Sequence, residues 1–182
     1  MIERTFVLIK SEAFDRFLIG EIISRFERAG LKLEEMKKVN ATTEIAEKFV
    51  SNDKNWIKSI GKKTIHTYKK YDLNVIKDLR TNDILKIGKL VRKWLISHLI
   101  SGPVVAIIFS GNHAIESARK IIGNTMPLFA NLGSIRGDFS IDTPDLANRE
   151  KRVILNLVHA SETVEEAERE ISIWFKELVS KF

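Results

Sequence analysis

One histidine stands where a side chain could do chemistry. His159 ends an apolar run at 153–158, rich in branched residues, that is typical of a strand. Small and capping residues follow, and Thr163 with Glu166 fits a capping box that opens a helix. Backbone N–H groups at such a strand-to-helix junction favour anions, so a histidine there can serve as a nucleophile or a general base. This pattern alone leaves an ordinary surface histidine as an equal alternative.

Five blocks of the sequence resemble, in the same order, the signature of nucleoside diphosphate kinases. They are ERTFVLIK at 3–10, GEIISRFERAGLKL at 20–33, SGPVVAII at 101–108, GSIRGDF at 133–139, and NLVHASE at 156–162 followed by AEREISIWF. Five ordered blocks that cover most of the chain are far more specific than a lone motif. The resemblance implies ping-pong transfer of the γ-phosphoryl group from a nucleoside triphosphate to a nucleoside diphosphate. It also implies an α+β fold, a ferredoxin-like antiparallel sheet with helices on one face.

Three residues are expected to form the catalytic centre of such an enzyme. By the resemblance, His159 is the nucleophile and becomes a pros-phosphohistidine, because an imidazole nitrogen held in line can attack phosphorus directly. Glu170, on the following helix, would orient the ring and fix its tautomer, and Ser161 would support the Glu170 carboxylate. Without the resemblance, Glu170 would be interpreted as an exposed helix carboxylate, which is the interpretation given to Glu165, Glu166 and Glu168.

A second set of residues is expected to bind the nucleotide. Phosphoryl transfer depends on positioning and charge neutralisation, and the resemblance brings four residues to the phosphates: Lys10, Arg119, Thr125 and Arg136. Lys10 would also act in catalysis, although a following Ser-Glu-Ala replaces the family's usual Pro-Asp-Gly. Asn156 would bond the ribose hydroxyl and Leu95 would line the base pocket. Trp56 is the candidate to stack on the base, and a core position suits it as well.

Magnesium is the implied cofactor, and it would arrive on the nucleotide phosphates rather than in a protein cage. The sequence shows no cluster of metal ligands, and Glu162, where the family usually has aspartate, would reach the ion only through water. A Gly-x4-Gly-Lys-Ser/Thr loop is absent, which argues against a P-loop kinase. His66, His98 and His113 stand beside no acid–nucleophile pattern and are interpreted as structural or surface residues.

The elements that must position these residues follow from periodicity. Apolar residues at helical spacing, Phe17, Ile22 and Phe26 among them, predict a helix whose apolar side chains lie in the core. The connection at 126–143 has little periodicity, and the polar stretch at 144–152 lengthens the usual link to the histidine strand. The predicted strands are 3–10, 31–39, 103–109 and the run before His159, and the predicted helices are 15–29, 42–50, 112–122 and the one after Thr163.

Residues 51–98 depart from the compact family form. In that form two short helices make a hairpin that closes over the nucleotide, and here the hairpin is expanded, as in archaeal members. Asp83 is expected to open a helix whose apolar face includes Ile84 and Ile87. We expect one domain over 1–182 with this ordered helical segment inserted. Its basic surface could be merely solvated, could steer polyanionic nucleotides, or could contact nucleic acid.

Composition narrows the class of protein. The 182 residues are 44% hydrophobic, enough for one substantial core, and the formal net charge is +6. Twelve Lys and Arg against four Asp place the basic excess within 51–98, so the rest of the chain is slightly acidic. The sequence has no cysteine and no apolar run of membrane-spanning length, and we expect its first residues to form a strand rather than a signal peptide. We therefore expect a cytoplasmic enzyme with no membrane partner.

Two alternatives to an active kinase remain open at this stage. A nucleic-acid-binding module could share the ferredoxin-like topology and use the basic insert, but the aromatic motif of RNA-recognition domains is absent. A regulatory relative could keep the fold without turnover, and the complete set of expected site residues argues against it. The expected partners are nucleoside di- and triphosphates and, by the resemblance, further copies of this chain in a homohexamer or homotetramer.

Overall fold

Four antiparallel strands form one sheet in the order β2-β3-β1-β4. The computed structural model describes residues 2–176. Its strands are Ile2–Ile9 (β1), Lys32–Val39 (β2), Val104–Asn112 (β3) and Val158–Ala160 (β4). β1 lies inside the sheet, since it pairs with β3 along its whole length and with β4 through Val7–Ile9. The predicted antiparallel α+β architecture is confirmed.

Helices make up most of the remaining described chain, and several begin at side-chain caps. Thr42 accepts a hydrogen bond from the Ile45 N–H, and Thr163 accepts one from the Glu166 N–H. The α-helices are Ser11–Asp15 (α1), Ile19–Arg28 (α2), Thr43–Phe49 (α3), Lys54–Lys70 (α4), Val75–Leu79 (α5), Ile84–Leu99 (α6), Ala114–Ile122 (α7), Ile135–Phe139 (α8), Pro144–Arg149 (α9) and Val164–Trp174 (α10), and Pro127–Phe129 is a 3-10 helix.

Helices cover both faces of the sheet, not the single face expected. Val7 and Ile9 on β1 pack against α2 and α7, whereas Phe6 and Leu8 pack against α3 and α10. Successive strand residues point to opposite faces, so the unbroken burial of Thr5–Ile9 reflects a strand that is covered on both sides. The sheet is thus the middle layer of the molecule.

Three predicted elements differ from the observed ones. The helix expected at 15–29 is α2, which begins only at Ile19, and the separate helix α1 ends at Asp15. Phe17 lies between them with a left-handed φ of 55°, and it is 94% exposed rather than in the core. The strand expected before His159 is shorter and later, covering only β4. The connection at 126–143 contains α8, which Ser134 caps by accepting the Gly137 N–H.

The inserted segment folds as a close helical hairpin. α4 and α6 cross through Gly61 and Gly88, where an added Cβ would lie 2.0 Å from the Ile84 carbonyl oxygen and 2.1 Å from that of Ile57. The Tyr68 hydroxyl donates to the Asn148 carbonyl oxygen of α9 at 3.4 Å. The insert therefore packs against the 144–152 extension. Asp83 caps α6 as predicted.

Among the helices within residues 2–176, none combines the length and the apolar character that a membrane span requires.

Candidate active site

His159 is held by a buried carboxylate. It lies in the middle of β4, opposite Leu8 of β1, with 28% of its side chain exposed. α10 brings Glu170 beneath it, so that Nε2 of the ring lies 2.9 and 3.0 Å from the two carboxylate oxygens. The Glu170 side chain is only 2% exposed, and Ser161 donates its hydroxyl to Oε2 at 2.6 Å. The three residues of the expected catalytic centre are thus brought together.

The hydrogen bond to Glu170 fixes the tautomer of His159. A carboxylate only accepts, so Nε2 carries the proton and donates it, and in the neutral ring the lone pair is then on Nδ1. Within residues 2–176, the hydrogen bonds of this imidazole run through Nε2 alone. Nδ1 is consequently the nitrogen available to an incoming electrophile.

Aromatic rings enclose the imidazole on its inner side. Phe49, the last residue of α3, meets the His159 ring edge-to-face at 5.2 Å between centroids, and Phe6 lies 6.4 Å away. Trp174 stacks on Phe6 at 6.0 Å and contacts Phe49. Sequence reasoning missed Phe49, because nothing in its neighbourhood connects it with a histidine 110 positions later.

Lys10 and Asn156 form a second cluster next to the histidine. The Lys10 ammonium donates to the Asn156 side-chain oxygen, and the Asn156 amide donates to the Thr125 carbonyl oxygen at 2.8 Å. Burial lowers the pKa of Lys10 from 10.5 to about 8; the charge of Glu12 opposes this shift and the charge of Arg136 adds to it. Lys10 is therefore a cation that gives up its proton unusually readily.

The two arginines expected at the phosphates differ in their surroundings. Arg136 is 5% exposed and donates to the carbonyl oxygens of Gly123 at 2.9 Å, Val158 at 2.6 Å and Asn156 at 3.3 Å. These bonds use three of its five N–H donors. Burial, and secondarily the charge of Arg119, lower the pKa of Arg136 to about 10. Arg119 is more open and pairs with Glu162 at 2.9 Å.

Two residues expected at the base are not joined to this cluster. Trp56 lies half-buried in the first turn of α4 and Leu95 lies half-buried on α6. No hydrogen bond, ion pair or ring contact described for residues 2–176 links either one to Lys10, Asn156 or His159. α6 does reach the site, but through His98, whose Nε2 lies 2.9 Å from a carboxylate oxygen of Glu12.

The described residues offer no protein cage for a metal ion. No group of three or more His, Asp or Glu side chains within residues 2–176 could hold one. Glu162, which is 63% exposed, pairs with Arg119 at 2.9 Å.

A histidine held by a buried carboxylate, with lysine and arginine side chains close by, can serve as a nucleophile toward a phosphoryl group whose charge the cations stabilise. A family model for nucleoside diphosphate kinase matches residues 3–70 and 86–179. A nucleoside diphosphate kinase of Pyrobaculum aerophilum is 44% identical over 97% of this chain and 96% of its own length. One of Methanocaldococcus jannaschii is 36% identical over 97% and 96%.

Solved structures agree with these sequence matches. An NDP kinase from Pyrobaculum aerophilum has a TM-score of 0.94 at 42% identity and covers 98% of both chains. A Borrelia burgdorferi nucleoside-diphosphate kinase, a transition state mimic with bound vanadate and ADP, has a TM-score of 0.75 at 30% identity, covering 97% of this chain and 89% of that one. The chain belongs to the nucleoside diphosphate kinase family. It is an enzyme that transfers phosphoryl groups between nucleotides, and the nucleic-acid-binding alternative is not favoured.

Proposed function

We propose that the enzyme works by a ping-pong mechanism through a phosphohistidine at Nδ1 of His159. The observation that carries this proposal is the hydrogen bond from Nε2 to the buried Glu170, which leaves the Nδ1 lone pair free. In the first half-reaction Nδ1 forms a bond to the γ-phosphorus while the bond from that phosphorus to the bridging oxygen breaks, and the nucleoside diphosphate leaves with the electron pair. In the second half-reaction a terminal oxygen of another diphosphate attacks the same phosphorus and the N–P bond breaks.

Glu170 and Ser161 would prepare His159 for this attack. The ring gains positive charge as Nδ1 bonds to phosphorus, and the Glu170 carboxylate stabilises that charge through the Nε2 proton. Ser161 holds the carboxylate at 2.6 Å, so the pair needs no rearrangement during the reaction. The depth of Glu170 supports this role, since the strength of such an interaction grows as water is excluded.

Four residues would bind the phosphates and one the ribose. Lys10 supplies a point charge beside the transferred group, and Arg119 exchanges Glu162 for the β-phosphate. Arg136 has two N–H donors left beyond its three carbonyl acceptors, and these serve the phosphates. The exposed Thr125 hydroxyl donates to the same groups. Asn156, already oriented by Lys10 and Thr125, bonds the ribose hydroxyl.

The base would lie along the inserted hairpin. Leu95 is one helical turn before His98, and the contact of His98 with Glu12 keeps that part of α6 beside the site. We propose that Leu95 lines the base pocket and that Trp56, on the adjoining helix α4, stacks on the base. Stacking on an aromatic ring tolerates every base, so broad nucleotide specificity is expected.

Magnesium is the proposed cofactor, in keeping with the general use of a divalent metal by this family. It would neutralise phosphate charge that Lys10 and the two arginines only partly offset. Glu162 is the one acidic side chain proposed to hold the ion, and only through water. Once Arg119 turns to the β-phosphate, the Glu162 carboxylate is released from its ion pair and can hold the metal ion through water.

Assembly, domain structure and location form the last part of the proposal. Large apolar side chains are unusually exposed at Phe17 (94%), Leu132 (88%) and Ile141 (94%), which supports a homo-oligomer, by the resemblance a hexamer or tetramer. We propose a single domain over 1–182 with a helical insertion within 51–98; the family model leaves only 71–85 unmatched within it. The cytoplasm, where nucleotides are held, is the proposed compartment.

Labelling tests the proposal directly. The protein is incubated with γ-labelled ATP and Mg²⁺ and then chased with GDP, as wild type, His159→Ala and His66→Ala, the last removing an exposed histidine of α4. We expect an acid-labile label on wild type and His66→Ala that GDP removes as GTP, and none on His159→Ala. A folded wild type that takes no label would overturn the proposal, as would a His159→Ala variant that labels normally.

A further inference from the structure

A largely buried carboxylate next to the site has no part in the mechanism given above. Glu12 lies in α1, two residues after Lys10, and its side chain is 12% exposed. One oxygen, Oε1, accepts the backbone N–H of Leu157 at 3.0 Å. The other, Oε2, lies 2.9 Å from Nε2 of His98, near the end of α6. A single carboxylate thus joins the inserted hairpin to the chain that leads into β4.

The backbone that Glu12 holds is strained. Leu157 has a φ of 70°, which a leucine rarely adopts, and the Val158 N–H bonds back to the Asn156 carbonyl oxygen at 2.8 Å. Such a three-residue turn with positive φ at its centre is an unfavourable conformation that surrounding contacts must maintain. It stands between Asn156 and His159, so its shape decides where both side chains lie.

The segment from Lys10 to Glu12 forms hydrogen bonds with both the carbonyl oxygen and the N–H of Leu157, at the centre of this turn. The Lys10 backbone N–H donates to the Leu157 carbonyl oxygen at 2.8 Å, and the Glu12 carboxylate takes the Leu157 N–H at 3.0 Å. Leu157 itself is 1% exposed, so water does not satisfy these groups in its place. Loss of the carboxylate would leave a buried N–H without an acceptor and would release the strained turn.

Glu12 also acts on the charge of its neighbour. The charged groups that affect Lys10 are Glu12, which favours its protonated form, and Arg136, which opposes it. Although burial raises the pKa of Glu12, the hydrogen bond and charge of His98 and the charge of Lys10 bring it down to about 2. Glu12 is therefore fully ionised wherever the enzyme works, and its negative charge helps Lys10 to stay a cation.

We propose that Glu12 is a positioning residue for phosphoryl transfer, which holds the Leu157 turn in the shape that Asn156 and His159 require. Through His98 it also ties the end of α6 to that turn. The inference rests on the proposed function, since it gives Glu12 its effect through Lys10, Asn156 and His159. Glu12 itself contacts none of the reacting atoms.

Two substitutions separate the two actions of the carboxylate. Glu12→Gln keeps an oxygen for the Leu157 N–H but loses the negative charge, so the pKa of Lys10 falls. Because Lys10 then loses its proton at lower pH, the alkaline limb of kcat/KM should move about one unit to lower pH. Glu12→Asp keeps the charge but withdraws the oxygens by one methylene. We expect it to lower kcat about tenfold, the order of effect of misplacing a reacting group, while the alkaline limb stays where it is in wild type.

Controls distinguish this role from a merely structural one. Glu27→Gln removes the same charge from an exposed site on α2 and should change neither kcat nor the alkaline limb. A residue that only stabilised the fold would lower the unfolding temperature without moving the pH limb. If Glu12→Gln keeps the wild-type limb and Glu12→Asp keeps the wild-type kcat, the inference is wrong.

A measurement on the unaltered protein covers the case in which the variants do not fold. The Leu157 amide should exchange its hydrogen with solvent as slowly as the amides at the centre of β1, because Glu12 holds it; rapid exchange there would refute the inference. Labelling of wild type by γ-labelled ATP is measured in the same samples. A missing label on wild type would overturn the proposed function. A normal label on wild type, together with a wild-type alkaline limb in Glu12→Gln and a wild-type kcat in Glu12→Asp, would overturn only the inference.

Discussion

Both carboxylate oxygens of Glu170 lie within hydrogen-bonding distance of a single nitrogen of His159, at 2.9 and 3.0 Å. The carboxylate has further partners in Ser161 at 2.6 Å and in the Arg169 guanidinium at 3.6 Å. These partners satisfy the carboxylate, whose side chain is only 2% exposed. The orientation of the imidazole is therefore set by side chains of the fold itself.

Glu170→Gln is expected to slow phosphoenzyme formation by at least about 10²-fold. The glutamine can present its amide N–H to Nε2, which would turn that nitrogen into an acceptor and move the ring proton to Nδ1, where it blocks attack. Rapid-quench measurement of labelling by γ-labelled ATP gives the rate. Glu168 lies on the same helix as Glu170 and pairs with Arg4 at the surface. The labelling rate of Glu168→Gln should therefore stay within about twofold of the wild-type rate. A Glu170→Gln rate inside that same range would contradict the role assigned to the carboxylate.

The Glu12–His98 contact predicts a loss of stability in acid. Because the folded protein holds the pKa of Glu12 at about 2, below its ordinary value of 4.5, the ionised group stabilises the fold fully above pH 4.5. That contribution, on the order of 3 kcal/mol, is lost as the pH falls from about 4.5 to 2.

Urea unfolding at a series of pH values checks this expectation. The free energy of unfolding of wild type should exceed that of Glu12→Gln at pH 6, and the two should converge between pH 4.5 and 2. Glu27→Gln, at an exposed position, should run parallel to wild type throughout. A difference between wild type and Glu12→Gln that does not depend on pH would show that the carboxylate is not held in its ionised form.

Local signals in the sequence were enough to find most of the elements. Asp83 and Thr163 cap α6 and α10 at the predicted positions, because a cap depends only on residues within one helical turn. The resemblance supplied His159, Glu170 and Ser161 as one set, and these three side chains do meet. Their contacts are also local in sequence, since all three residues lie within twelve positions of the chain.

What could not be predicted depends on long-range contacts or on unfavourable backbone. Glu12 and His98 are 86 positions apart, and only the packing of α6 on the edge of the site brings them together. Arg152, in the polar stretch at 144–152, binds Asp142 with two nitrogens. Phe17 and Leu157 adopt positive φ although neither residue type favours it, so no sequence rule points to a break there. Tertiary contacts impose these conformations.

The pairing of Arg152 with Asp142 predicts a structural role in the 144–152 extension. Asp142 is 10% exposed, accepts two Arg152 nitrogens at 2.6 and 3.0 Å, and also accepts the Leu155 N–H at 2.7 Å. Asp142→Asn should therefore lower the free energy of unfolding by about 2–3 kcal/mol, because it leaves a half-buried guanidinium with a neutral partner.

The matched control for this change lies three residues further on. Asp145 pairs with the exposed Arg149 at 3.7 Å, so Asp145→Asn should alter the free energy of unfolding by less than about 1 kcal/mol. Denaturant titration of both variants compares them directly. Equal effects of the two substitutions would mean that the depth of Asp142 and its bond to the Leu155 N–H contribute nothing to stability.

The crossing of α4 and α6 predicts that a single added methyl group at Gly88 disturbs the whole hairpin. A Cβ there would lie 2.1 Å from the Ile57 carbonyl oxygen, so the helices would have to separate, and Gly88→Ala should cost about 2 kcal/mol or more of stability. Gly20→Ala is the control, since its Cβ meets nothing within 4 Å in α2 and should be neutral or stabilising by up to about 1 kcal/mol. Because α6 ends beside Glu12, Gly88→Ala should also raise KM for the nucleotide, measured below its unfolding temperature. A Gly88→Ala enzyme as stable as Gly20→Ala would show that the helices do not cross this closely.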